Sequence, residues 1–275
     1  MRQNKSTQIF RYVLLISFSM LVFLPITGLL LNAFRSPLEL NLNPFSLPST
    51  LSLENIQNAW TVGRFGIFFK NSLIVALIVV SVSVLLSVFS GYAFALLPMP
   101  GKKWLYPLVL IGYMVPFEAA IIPLFNLMDS MDLRDTYWAL ILPQIGLSVS
   151  FGTLWMASYF ETIPQELIDS AVMDGSNRWQ TLWKLVVPLS KPSLTTLIVL
   201  IFMWTWNEFL LALVMIQDEG MRTLPVALAF FQGRYTSNVP LLAAGALVVA
   251  LPTVLVYVLF QRFFIRGMLG GAVKG

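Results

Sequence analysis

The sequence predicts an all-α, polytopic membrane protein with six transmembrane helices, and three observations lead there. Hydrophobic residues make up 57% of the chain and charged residues only 11%, against about a quarter charged in soluble domains. Mean hydropathy is +0.79. Six stretches reach the roughly 20 apolar residues that a helix needs to cross a hydrocarbon core: 12–34, 71–97, 104–128, 136–160, 193–217 and 239–261. The chain also contains neither cysteine nor histidine. That excludes disulfides and thiolate metal sites, and it removes the commonest metal ligand and general base. Hydrolytic and metal-dependent chemistry are therefore poorly supplied.

Taken in order, the first span is an apolar run without a small-x-small cleavage signature, and it reads as a retained helix rather than a secretory signal. Four spans carry no charge; the third holds Glu118 and the fifth holds Glu208. Pro25, Pro116, Pro143 and Pro252 lie within spans, where neighbouring helices can satisfy the freed carbonyls. Six spans place both termini on one side. That side holds 11 of the 17 Lys and Arg residues, which makes it cytoplasmic by the positive-inside rule. The net charge of +4 is thus a topogenic signal and not a nucleic-acid signature.

Outside the membrane, residues 35–69 form the longest segment, with Ser52 placed to cap a short helix. Asp129, Asp132, Arg134 and Asp135 mark the second outer turn, and 218–238 hold enough Leu, Ala and Phe for a short surface helix. The expected division is 1–70, a helix with its outer loop, and 71–275, a five-helix core containing a hairpin at 161–192.

That hairpin carries Glu166, Asp169, Asp174, Arg178, Lys184 and Lys191 between two apolar spans. Thr162 and Gln165 fit a capping box, with Pro164 suited to a first helical turn. Leu167, Ile168, Ala171 and Val172 follow at helical spacing, and Asp174-Gly175 ends the helix because glycine accepts the left-handed position there. Ser176 is placed to cap a second helix with the stripe Trp179, Leu182, Trp183, Val186 and Val187. Pro188 and Pro192 stop it. Periodicity alone leaves two readings open: the stripe packs beneath the membrane helices, or it buries itself in a groove on a soluble partner.

The residues resemble a known family. Permeases of ABC importers carry a cytoplasmic loop with the pattern EAA, three residues, Gly, nine residues, Ile-x-Leu-Pro. Here it falls on Asp169-Ser170-Ala171, Gly175, Leu185, Val187 and Pro188, with matching spacing and small substitutions. The motif WTWNEF at 204–209 and the ending QRFFIRGMLGGAVKG at 261–275 are similar to the carbohydrate branch, and specifically to the smaller second permease of maltose-type importers. The likeness covers nearly the whole chain and is most distinctive over 71–275.

The resemblance implies a MetI-like fold and a transport subunit, not an enzyme. It implies a heterodimer with a second permease, two copies of a cytoplasmic ATPase carrying ATP and Mg, and an extracytoplasmic sugar-binding protein. The setting would be the cytoplasmic membrane of a bacterium or archaeon. No cofactor or metal is expected on this chain, and it contains no G-x-x-x-x-G-K-[ST] loop to cradle phosphates. The hairpin residues Glu166 to Pro188 would couple to the ATPase, with Gly175 setting the turn. The tail Gly270, Gly271, Ala272, Val273, Lys274 and Gly275 would contact the ATPase dimer, against the ordinary view of a frayed terminus.

Intramembrane carboxylates are functional candidates by default. Glu118 and Glu208, with Trp204, Trp206 and Asn207, either border the sugar path or make structural hydrogen bonds between helices. A stand-alone secondary transporter or channel is the competing class. No internal repeat is evident and only two buried carboxylates are available for ion coupling. Small residues such as Ser148 and Gly152 are expected to permit close helix approach.

Overall fold

The computed structural model describes residues 5–44, 46–234 and 238–272, with side chains described over 8–44, 46–234 and 238–262. Among the described residues the structure is helical and contains no strand. Among the described residues, four helices are long and apolar enough to span a membrane: α1 (Lys5–Ala33), α4 (Phe65–Leu96), α7 (Tyr137–Phe160) and α14 (Val239–Ala272). Two bent pairs, Lys102–Met114 with Phe117–Ser130 and Arg178–Leu189 with Lys191–Trp206, raise the number to as many as six if each is one span.

The chain divides into two compact units, Met1–Gly66 with Ala227–Leu251, and Ile67–Val226 with Pro252–Gly275. In the first, α1 is apolar on every side and none of its spanning window is buried by the rest of the protein, as expected of a helix surrounded by lipid or partner. The short helices α2 (Pro37–Leu42) and α3 (Glu54–Thr61) follow it. Ser36 and Glu39 form a capping box on α2, which satisfies two orphan amides at once. Ser52 receives the Glu54 amide at 3.2 Å, but the residue at the helix N-cap is Leu53, without a side-chain cap. Phe65 and Phe231 meet edge to face at 5.1 Å, in the geometry aromatic quadrupoles favour.

In the second unit, α4 packs on α7 at backbone range. A Cβ on Gly91 would lie 2.7 Å from that of Met156, and one on Gly152 would lie 2.8 Å from Ser87 Cβ. The sequence expectation for Gly152 is thus met by its geometry. Ser90 and Thr153 hydroxyls join across the same seam at 2.6 Å.

The expected third span is broken. It consists of α5 (Lys102–Met114) and α6 (Phe117–Ser130), bent by 96°. The cause is local: Pro116 disfavours the helical conformation at the preceding residue, and Val115 and Pro116 are both extended. The expected fifth span also breaks, into α11 (Lys191–Trp206) and α12 (Leu210–Met215).

A polar clasp fastens the loop after α12. Asn71, 3% exposed, donates to the carbonyls of Gly220 and Arg222 at 2.8 and 3.0 Å and accepts from the Tyr137 hydroxyl at 2.7 Å. Asp135, with φ +55°, accepts the amides of Gln217 and Asp218. Ser72 accepts the Leu224 amide at 2.8 Å. Buried polar groups of this kind are costly unless paired, and here each one named is paired.

Candidate functional site

Two features of the second unit bear on function, a hairpin and a cavity. The hairpin runs through α8 (Gln165–Met173) to α9 (Arg178–Thr181), a π-helical turn over Leu182–Val186, and α10 (Val187–Leu189). Gly175 has φ +83°. The Gly175 amide donates to Val172 O and the Ser176 amide to Ala171 O, both at 3.0 Å. These are the two bonds of a Schellman motif, and they require a left-handed residue at that position.

Both caps differ from expectation, the first by two residues and the second by one. Pro164 stands at the N-cap of α8 without a side-chain cap, while the Thr162 hydroxyl turns back to Tyr159 O at 2.7 Å. Asn177, not Ser176, caps α9, in a reciprocal capping box with Gln180. An asparagine oxygen is an equally good N-cap acceptor. The π turn has a physical cause in Pro188, which has no N–H to close the α-helical bond to Lys184 O. Ser190 ends the segment, its hydroxyl on Val186 O at 2.7 Å, and the chain then bends by 80° into α11.

The apolar stripe of the second helix divides. Leu182 and Val186 are buried in this chain's own core. Leu185 and Val187 pack partly against it. Trp179 stacks on Phe89 at 5.6 Å, and Trp183 meets the same ring edge-on at 6.1 Å. Tyr92 donates to Arg178 O and Tyr159 to Leu189 O, at 3.1 and 3.3 Å. This arm is therefore pinned to α4 and α7. The first arm is different: Ile168 is buried, but Leu167, Val172 and Met173 are exposed, Met173 by 87%. Beside them Asp169 accepts from Gln165 at 3.0 Å and the Ser170 hydroxyl donates to Leu167 O. Ala171 is half-buried; Glu166, Asp174 and Pro188 are exposed. Glu166 sits in the first turn of α8, where the helix dipole favours a negative charge.

The cavity, of about 370 Å³, lies among α5, α6, α7 and α11. Tyr113, Phe151 and Trp204 give it an aromatic wall; Phe151 lies 5.7 Å from Tyr113 and 4.9 Å from Trp204. Gln144, Ser148, Thr205 and Glu208 face it with amide, hydroxyl and carboxyl groups. Glu208 Oε1 accepts the Leu211 amide at 2.8 Å, and Oε2 is buried without a hydrogen-bond partner. A carboxylate in that position is expensive for a membrane protein to keep.

The other candidates lie elsewhere. Trp206 is 1% exposed and packs between Phe69 and Phe202, at 5.4 and 5.6 Å. Asn207 ends α11 and donates to Met203 O at 2.7 Å and to Thr253 at 3.3 Å. Glu118 is exposed in the first turn of α6, outside the cavity wall. Gly270, Gly271 and Ala272 fall within the backbone of α14; Val273, Lys274 and Gly275 lie outside the described residues. The cavity residues Tyr113, Gln144 and Phe151 are absent from the sequence expectation, and Ser148 appears there only as a small packing residue. A signal was available, because Gln144 and Ser148 stand four apart on one face of an otherwise apolar helix.

Residues 83–269, which include the hairpin and the cavity wall, match the family described as "Binding-protein-dependent transport system inner membrane component". The chain belongs to this family. It is therefore a membrane transport subunit rather than an enzyme. It is 36% identical to the arabinooligosaccharides transport system permease protein AraQ of Halalkalibacterium halodurans, over 99% of this chain and 100% of the relative. It is 35% identical to the trehalose transport system permease protein SugB of Mycobacterium tuberculosis, over 83% of this chain and 84% of that one. Among solved structures, a chain of a bacterial ABC transporter involved in import of the acidic polysaccharide alginate superposes with a TM-score of 0.82, at 23% identity, covering 96% of this chain and 98% of the other. That likeness establishes the ABC-importer permease fold for this inner-membrane component.

Proposed function

We propose that this chain is the permease subunit of an ATP-driven sugar importer in a bacterial or archaeal cytoplasmic membrane, with both termini cytoplasmic. Residues 71–275 form the permease core, and 1–70 precede it. A second permease completes the translocation path, two cytoplasmic ATPase copies carry ATP and Mg, and an extracytoplasmic sugar-binding protein delivers the cargo. The sugar class is supported by relatives named for arabinooligosaccharide and trehalose transport. Delivery is supported by a related fold solved with an alginate pentasaccharide-bound periplasmic protein.

The observation that carries the coupling role is the asymmetry of the hairpin. Its second arm is fixed to the membrane helices while leaving Trp179 exposed, and its first arm, without such anchors, presents Leu167, Val172 and Met173 outward. An exposed apolar helix face is what a partner groove binds. Because the second arm is pinned, movement of a docked α8 passes to α4, α7 and α11 as rigid-body motion. In the cavity, Trp204 offers a ring face and Gln144, Ser148 and Glu208 offer hydrogen bonds, the complement a sugar needs. The tail from Gly270 onward is assigned to the ATPase interface.

Reconstitution in proteoliposomes tests this reading. Sugar uptake is expected only when the second permease, the ATPase and the binding protein are all present with ATP. Uptake by this chain alone would instead support a stand-alone transporter.

A further inference from the structure

A second cavity, of about 330 Å³, is formed in the first unit by residues of the 34–58 segment with Asn238. Its size is at the small end of ligand sites, and its wall is mostly polar, with Phe34 and Pro37 as its apolar members. Arg35 lines it and is only 2% exposed. Its Nη1 donates to Asn32 Oδ1 at 3.2 Å and to Pro44 O at 2.7 Å, while its Nε–H is buried without an acceptor. A guanidinium held this way is fixed in place and still under-bonded. Asn55 is fixed as well: its amide donates to Ala33 O and Arg35 O at 3.0 and 2.7 Å. Glu39 accepts from the Ser36 amide at 3.1 Å, and from the Ser49 amide and hydroxyl.

Around these anchored groups stand Thr50, Glu54 and Asn58, which line the pocket and whose side chains make no hydrogen bond among the described residues. The charges on the wall are one guanidinium and two carboxylates, an unfavourable balance for a free anion. No group of three acidic or other metal-binding side chains occurs among the described residues, so a cation has no cage here. A ligand that both donates and accepts at each position suits this wall, and hydroxyl groups do so. We propose that this pocket binds one unit of a neutral saccharide, at a site separate from the central cavity. Its place on the outer side rests on the topology proposed above; its ligand chemistry does not. The saccharide arrives free or as the end of a chain still held by the binding protein.

Amide hydrogen exchange of the assembled transporter in nanodiscs tests the assignment, with trehalose and arabinobiose as probes. Both arms are run, with free saccharide and with saccharide-loaded binding protein. Peptides covering 33–60 should exchange more slowly with free saccharide, or only with the loaded protein if the site takes a presented end. The concentration giving half protection should rise roughly tenfold in Asn58→Leu and Thr50→Val, each of which removes hydrogen-bonding capacity that the fold does not use. Exchange unchanged in both arms would overturn the proposal, as would equal protection in the variants. So would protection by the binding protein without sugar, which would make the pocket a protein contact. Failure here leaves the central-cavity reading untouched, because that one is read from uptake and not from exchange over 33–60.

Discussion

Replacing Gly175 with valine should uncouple ATP hydrolysis from sugar uptake while leaving membrane insertion intact. Gly175 sits at φ +83°, and a Cβ added there would meet nothing within 4 Å. The penalty is therefore one of backbone conformation and not of crowding. A β-branched residue held in the left-handed region costs on the order of 1–3 kcal/mol, a factor of about 5 to 150 in the population of the formed turn. Loss of the turn releases the Schellman bonds from Val172 O and Ala171 O and turns α8 away from its partner. Gly175→Asn should retain most coupling, since asparagine visits this region readily. Uptake and hydrolysis measured side by side in proteoliposomes check both variants. Normal coupling in the valine variant would refute the turn's role, and equal loss in both would point to the glycine's size instead.

Trp206→Ala and Trp204→Ala should fail in different ways, although the two residues lie in one motif. Trp206 is enclosed by Phe69 and Phe202, and truncating a buried tryptophan costs about 3–5 kcal/mol. That variant should unfold at markedly lower temperature in detergent. Trp204 is 49% exposed and faces the cavity. Its removal should spare thermal stability and slow uptake several-fold, as loss of a stacking face worth on the order of 1 kcal/mol would. Thermal unfolding paired with initial uptake rates separates the two. Identical behaviour of the variants would mean that Trp204 is structural.

The separation of these tryptophans shows where sequence reasoning stopped short. Residues two apart on a helix point roughly 200° apart, so Trp204 lines the cavity, as Glu208 does just beyond the helix end, while Trp206 turns toward Phe69 and Phe202. Grouping all four polar and aromatic residues of the motif ignored that geometry. The long spans were legible because hydropathy needs no tertiary information, and Gly175 was legible because few residues accept its conformation. The break between α5 and α6 was written in Val115-Pro116, but an intramembrane proline can equally be absorbed by a continuing helix. Only packing settles which occurs. The cavity wall was less accessible still, because Tyr113 and Phe151 come from separate helices that meet Trp204 only in the fold. The two hairpin tryptophans remain exposed, Trp179 by 61% and Trp183 by 38%, and their contact with Phe89, some ninety positions away, could not be read from periodicity.

The native chain contains no cysteine, so a single Met173→Cys provides a clean reporter of the central claim. Thiol-directed crosslinking in the purified transporter should join Met173→Cys to the ATPase subunit, with a yield that changes between nucleotide-free and ATP-bound states. Capture of the ATPase in that pattern is the expected result. A fully assembled complex in which this cysteine crosslinks to no ATPase, in either state, would contradict the coupling role of α8.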